Sequence, residues 1–495
     1  MNNFFRKALL WVFVLSMLLG LVACGDKPEG PADGTGAQNG TTAGSPATTD
    51  EPSIKDGLDP SLNFGGREVN FLSWIAPYNT DFYAEIDIGD PVSDAVYERN
   101  MTVEKRLGVS LYTKFIDGDN ANQASFVNAV LAETNAGGKT SFDVIASYSM
   151  CAGTLASYGV FQDLNTVQHL DTKMPYWSES VIQGSTINDK LYFVTGDMAN
   201  TFIYNLYYLV VNNSLLEDYG LDDPRDMVLA KTWTLEAMMK LTTDVYSDRD
   251  DMPGVSPGDT YGFVLYGHPY YDCWLASTDI PMAQRGEDGI YRLTSDFIGD
   301  RMGTFVDKLN SFIYDNSDVS IDYSYGYSTI TTGCALIGTS QVDMMPKLKE
   351  NNIDYCVVPF PMMDDLQTSY STNLGFAYTN FSVPHNAEDS AISGAVLECM
   401  ASEAYHTSSK VFFENVIKSR YSNDPKDAQM FDIIKDSVYI DPCRLFVSSF
   451  EWSNSPTALF RQALLERRNW NAKIEGSVGY INGILSKLSE SIVQP

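Results

Sequence analysis

Between Glu68 and Ala146 the chain alternates strand, helix, strand, helix, strand, and that order admits few folds. Glu68–Trp74 (EVNFLSW) is apolar enough for a buried strand. Asp90 followed by Pro91 predicts a helix start, because the carboxylate takes an unpaired amide and proline's fixed φ suits the first helical position. Val92, Val96, Val103 and Leu107 recur on one helical face, and Gly108 ends the helix. Val109, Leu111, Thr113 and Phe115 alternate as a second strand, Asn122–Thr134 reads as a second helix, and Phe142–Ala146 as a third strand. This pattern predicts an α/β fold with a mostly parallel sheet and helices on its faces. In such sheets ligands meet the loops beyond the carboxyl ends of the strands, here after Trp74 and at Ser147–Tyr148.

Further strands are expected at Leu191–Val194, Tyr207–Val211, Asp354–Pro359 and Phe376–Val383. Helices are expected at Asn212–Tyr219 and at Trp233–Val245, the latter capped by Thr232, and from Ala387 onward the chain reads as mainly helical. The body from about Phe64 exceeds what a single core organises, so two lobes are expected. A net charge of −31 argues against nucleic acid and against electrostatic binding to anionic lipid. Cys151, Cys273, Cys334, Cys356, Cys399 and Cys443 are widely spaced, with no ligand spacing for a metal, and no cofactor is implied.

The start of the chain has its own logic. Arg6 and Lys7 precede an apolar run from Ala8 to Val22, and Leu21-Val22-Ala23-Cys24 follows from it. This resembles a bacterial lipoprotein signal, which implies removal of residues 1–23 and lipid on the Cys24 thiol. Residues 24–63, poor in anything to bury, are expected to be a disordered tether. The expected location is the extracellular face of the cell membrane, lipid-anchored.

Later landmarks fall in a familiar order. FDVIASYSMCAGTLASYGVFQDLN (142–165), NDKLYFVTGD (188–197), LYYLVVNNSLLEDYGLDDP (206–224), KTWTLEAM (231–238) and DYCVVPFP (354–361) resemble successive segments of the extracellular solute-binding proteins of bacterial ABC importers, of the type similar to maltose-binding protein. Departures are present: Thr195-Gly196 stands where proline is usual, and Leu235 where glutamate is usual. The resemblance implies a two-lobed periplasmic-binding-protein-like (type II) fold with hinge crossovers and a helical C-terminal region. Lobe one would comprise 66–187 plus 338–384, and lobe two 188–337 plus 385–495. It also implies a monomeric receptor that captures a small-molecule solute, a sugar or oligosaccharide, and delivers it to ABC permease subunits.

Sugars are held by aromatic rings against their C–H faces and by polar groups on their hydroxyls. On that logic the expected ligand-binding residues are Trp74, Tyr78, Asn79, Asp81, Ser147, Tyr148, Trp177, Asp197, Tyr204, Trp274 and Trp452. Trp233, at a helix start, reads as a packing residue. Enzyme motifs fail: Gly254–Gly258 matches G-x-S-x-G, but Pro257 within a Gly/Pro/Asp loop denies the strand–turn–helix that a nucleophile elbow needs. Gly138-Lys139-Thr140 has Glu133 where a P-loop begins with glycine. The chain is therefore not expected to be an enzyme. Two alternatives stay open: a surface-anchored carbohydrate-active enzyme, whose paired carboxylates spacing does not reveal, and the same fold binding peptide or another solute.

Overall fold

A computed structural model describes residues 54–491 apart from 78–80, 87–88, 250–255, 257 and 323–327. Its longer strands, in chain order, are β1 (Arg67–Trp74), β2 (Val109–Ile116), β3 (Val144–Tyr148), β4 (Tyr207–Asn212), β5 (Tyr261–Tyr266), β6 (Val319–Asp322), β7 (Ala335–Gln341), β8 (Tyr355–Val358) and β9 (Thr379–Ser382). They form two separate sheets, ordered β9-β3-β1-β2 and β6-β5-β7-β4-β8. In the first, β1 pairs in parallel with β2 and β3, while β9 runs antiparallel to β3. In the second, β5 is parallel to β6 and β7, and β4 lies antiparallel between β7 and β8.

The local signals act as expected. The Asp90 side chain accepts from the Ser93 amide at 2.9 Å, Pro91 opens the helix Pro91–Leu107, and Gly108 closes it with φ 60°. Val92, Val96, Val103 and Leu107 are buried on its inner face. The third strand lies two residues later than expected, so Ser147 and Tyr148 end the strand rather than follow it. Likewise Thr234, not Thr232, caps the helix expected at Trp233–Val245, which is shorter, at Leu235–Leu241.

The chain crosses between the sheets along two segments that lie side by side. Leu206 bridges Leu374, the Tyr207 amide donates to the Asn373 carbonyl at 3.2 Å, and the Gly375 amide donates to the Asn205 carbonyl at 2.8 Å. The Asn205 side chain reinforces the pair by donating to the carbonyls of Thr201 and Ala377 at 2.8 and 2.7 Å.

These crossings correct the expected lobe boundaries. Leu191, Val194 and Met198 pack in the core of the first sheet, so the chain leaves that lobe near Asn205 rather than at 188. Strand β8, expected in lobe one, belongs to the second sheet. The helix Ser390–His406, expected in lobe two, buries Ala395, Val396, Cys399 and Met400 in the first sheet's core. The tether is shorter than expected too: Leu58 is buried, and Asp56 pairs with Arg106 at 2.6 Å. Cys24 and the rest of that segment up to Ser53 lie outside the described residues.

From Ser390 on the chain is mainly helical, as expected from Ala387 onward. Helix Pro425–Asp436 packs on β8, and Arg225 joins it to the second lobe through Asp424 and Asp427 at 2.9 and 2.8 Å. The short helix Pro442–Leu445 reaches back to helix Ser149–Ser157, so tightly that a Cβ on Gly153 would sit 2.2 Å from the Leu445 carbonyl oxygen. No helix among the described residues is long and apolar enough to cross a membrane.

Candidate functional site

Strands β1 and β3 end at the same edge of the first sheet, and β9 begins there. Trp74 and Tyr148 therefore meet, with ring centroids 5.2 Å apart, and the Trp74 indole donates to the Thr379 hydroxyl at 2.7 Å. Burial pushes the Tyr148 phenol above its ordinary pKa, partly offset by Arg444. Asp81 is a correction: its carboxylate is buried and spent on the Thr201 amide, at 2.9 Å, and the Thr379 hydroxyl. Burial raises its pKa, and the same burial lowers the neighbouring Arg99 to about 10. Asp81 thus ties parts of the first lobe together, at the wall of a small pocket that it shares with Trp74. The Ser147 hydroxyl is buried and has no partner among the described residues. Tyr78 and Asn79 lie outside them.

Across the hinge, Tyr207 opens β4 and its ring meets Tyr270 edge-on at 5.0 Å. Beside it sits a cluster assembled from four distant stretches. Asp272, on helix Tyr271–Ala276, accepts from Arg444 at 3.0 Å and from Arg461 at 2.5 and 2.6 Å. Arg444 also donates to the Leu374 carbonyl at 2.7 Å and lies 3.8 Å from the Phe376 ring centroid. Arg461 lies 5.3 Å from the ring of Trp452, which in turn meets Phe376 at 6.4 Å. Burial opposes the Arg461 charge, but Asp272 more than offsets this and its pKa is raised. Trp452 is 44% exposed, a large apolar ring offered to solvent beside the hinge. Burial likewise lifts the Tyr378 phenol to about 12, against the pull of Arg444.

Two other expected residues belong elsewhere. Trp177 and Asp197 line a cavity of about 1120 Å³ between the first lobe and the end of helix Pro425–Asp436. There Asp197 accepts from Ser409 and faces Lys435 at 3.5 Å. Tyr204 packs on Phe412 at 4.6 Å rather than joining either group. Trp274 corrects the sequence reading: it is fully buried between Phe263 and Phe360, a core residue of the second lobe. Phe376, Arg444, Arg461 and Asp272 were not expected. Asp272 lies in the aromatic run His268–Trp274, but nothing in the sequence pairs it with arginines more than 170 positions away.

Two α/β lobes, a paired crossing and a half-exposed aromatic cluster beside it define a two-lobed, periplasmic-binding-protein-like fold. Solved structures agree. The maltose/maltodextrin-binding domain MalE of Bdellovibrio bacteriovorus, bound to maltotriose, is similar at 12% identity with a TM-score of 0.51, covering 86% of this chain and 100% of its own. MalE of Listeria monocytogenes in complex with maltose is similar at 15% identity and 0.53, over 84% and 97%. UgpB of Mycobacterium tuberculosis, in complex with glycerophosphocholine, is similar at 14% and 0.52, over 86% and 99%. No family model and no curated protein matches the chain. At these identities the likeness establishes the fold.

Proposed function

We propose that this chain is the extracellular solute-binding receptor of an ABC importer, held at the membrane by lipid on Cys24, and that its solute is a sugar or oligosaccharide. The observation that carries the reading is Trp452: a half-exposed indole beside the crossing segments, backed by Phe376 and Arg461. An exposed ring of this size costs the free protein apolar hydration, and a pyranose face is a suitable cover for it. Neighbours of the same fold bear names of maltose- and maltodextrin-binding proteins, which supports a saccharide. Closure needs no chemistry, since contacts made with solute in one arrangement of the lobes shift the equilibrium toward it.

At the Asp272 cluster the enzyme reading finds less support. Glycoside hydrolysis needs a carboxylic acid free to give up its proton, whereas the Asp272 carboxylate is engaged by two guanidiniums. Thermal-shift screening of the Cys24→Ser chain against mono- and oligosaccharides, with peptides as controls, tests the proposal. A saccharide at 100 times its Kd should stabilise by about 2.7 kcal/mol and be recovered intact. Recovery of cleaved sugar would show an enzyme, and stabilisation by peptides alone would sink the sugar assignment. Incorporation of labelled palmitate into the wild-type chain, and its loss in Cys24→Ser, tests the anchor.

A further inference from the structure

We infer that the solute carries an anionic group, a carboxylate or sulfate on a saccharide, and that Arg461 is the residue that selects it. This rests on the sugar-receptor reading and names its substrate class. Asp272 is the one carboxylate in ion-pair contact with Arg444 and Arg461 among the described residues, so the cluster holds two positive charges against one negative. Both arginines are largely buried, with side chains 9% and 15% exposed, where an uncompensated charge is expensive.

Other arginines in this chain are balanced differently. Arg225 faces three carboxylates, of Asp223, Asp424 and Asp427. Arg106 faces Asp56 and Glu403. Arg99 spends its donors on the Phe82 and Met198 carbonyls and the Asn100 side chain. Asp441 shares a small cavity with Arg444, but its oxygens accept from the amides of Met282, Ala283 and Cys443 and from the Tyr439 hydroxyl. Counted by direct ion pairs, the Asp272 cluster holds one guanidinium more than carboxylates, and its Arg461 lies next to Trp452.

Donors remain to receive an anion. Arg461 meets Asp272 through Nε and Nη2, leaving Nη1 without a partner among the described residues, and Arg444 leaves Nε so. A guanidinium edge presents paired N–H groups to a carboxylate or sulfate, while the Trp452 face is suited to the sugar ring that bears it.

Isothermal titration of the full chain (Cys24→Ser) with size-matched oligosaccharides provides the test: a neutral galacto-oligosaccharide, an oligogalacturonate and a sulfated galactan fragment. At least one acidic member should bind about tenfold or more tighter than the neutral one, with affinity falling as NaCl rises. Which acidic member it is identifies the anion. Arg461→Gln leaves Asp272 neutralised by Arg444 alone and should erase the preference, while Arg461→Lys should keep the salt dependence. Equal or tighter binding of the neutral sugar by the wild-type chain overturns the inference and leaves the receptor reading standing. An acidic preference that survives in folded Arg461→Gln also overturns the role of Arg461. Binding of no saccharide of any kind sinks both.

Discussion

The guanidinium of Arg444 lies 3.8 Å from the ring centroid of Phe376, and its Nη2 donates to the Leu374 carbonyl two residues earlier. A residue from the C-terminal region thereby grips the second crossing segment by both a ring and its backbone. The third partner of that grip is Asp272 in the second lobe, at 3.0 Å. Removing either end has unequal consequences. Asp272→Asn leaves two buried guanidiniums without a counter-charge and should cost about 3–5 kcal/mol of stability. Arg444→Met leaves Asp272 paired with Arg461 and should cost about 1–3 kcal/mol. Urea denaturation of both variants checks the order.

Trp452 should separate binding from folding. Because Phe376 and Arg461 cover only part of the ring, Trp452→Ala should cost the free protein about 1–2 kcal/mol. If its ring stacks on the solute, the same change should weaken binding by about 2 kcal/mol or more, as loss of an aromatic anchor does. Thermal melting of the free protein and titration with the saccharide found by screening measure the two effects independently.

How much of this was legible in the sequence depends on the range of the interaction. The helix from Pro91 to Leu107 was readable because Asp90, Pro91 and Gly108 act on neighbours within a turn. The lobe boundaries were not, because they are set by Asn205 meeting Gly375, a pairing across 170 positions with no local signature. Trp274 misled for a related reason. An aromatic run reads the same whether its rings face a cleft or Phe263 and Phe360, and only packing decides. The Asp272–Arg444–Arg461 cluster was not legible, since both arginines arrive from C-terminal helices far in sequence from the loops after Trp74 and at Ser147–Tyr148.

Two of the buried tryptophans, Trp233 and Trp274, should respond differently to the same substitution. The Trp233 indole donates to the Pro359 carbonyl at 3.0 Å, so Trp233→Phe loses ring volume and leaves a buried carbonyl short of a donor. The Trp274 indole N–H has no partner among the described residues, so Trp274→Phe removes an unsatisfied donor along with the volume. Relief of that penalty, about 1–3 kcal/mol, should make Trp274→Phe the milder change. Chemical denaturation of the pair decides it; a larger loss for Trp274→Phe would contradict the burial argument.

Glycine-to-alanine changes at two helical positions should have opposite signs. A Cβ on Gly153 would meet the Leu445 oxygen and press helix Ser149–Ser157 away from the segment that follows Pro442. Gly153→Ala should therefore destabilise by about 1–3 kcal/mol through overpacking. At Gly483, inside the last helix, a Cβ would meet nothing within 4 Å, so Gly483→Ala should gain up to about 1 kcal/mol from helix propensity. Melting midpoints moving in opposite directions would bear this out.

Glu398 supplies a pH dependence with an unusual sign for a carboxylate. It sits buried on helix Ser390–His406, and that burial lifts its pKa to about 7 despite hydrogen bonds from the Tyr176 hydroxyl and the Asp171 amide. Because the folded value lies above the unfolded one, the folded chain binds the extra proton between them, and stability falls as pH rises through that window. The contribution is complete below about pH 4.5, declines from there, and is gone above about pH 7, an effect on the order of 3 kcal/mol for a shift of this size. Glu398→Gln holds a neutral group in the same place and should flatten that part of the profile, leaving the variant relatively more stable than wild type at pH 8 than at pH 5. Urea midpoints for both proteins at those two pH values measure the difference. Parallel profiles for wild type and variant would mean that Glu398 is ionised in the folded state and that its neighbours solvate the charge.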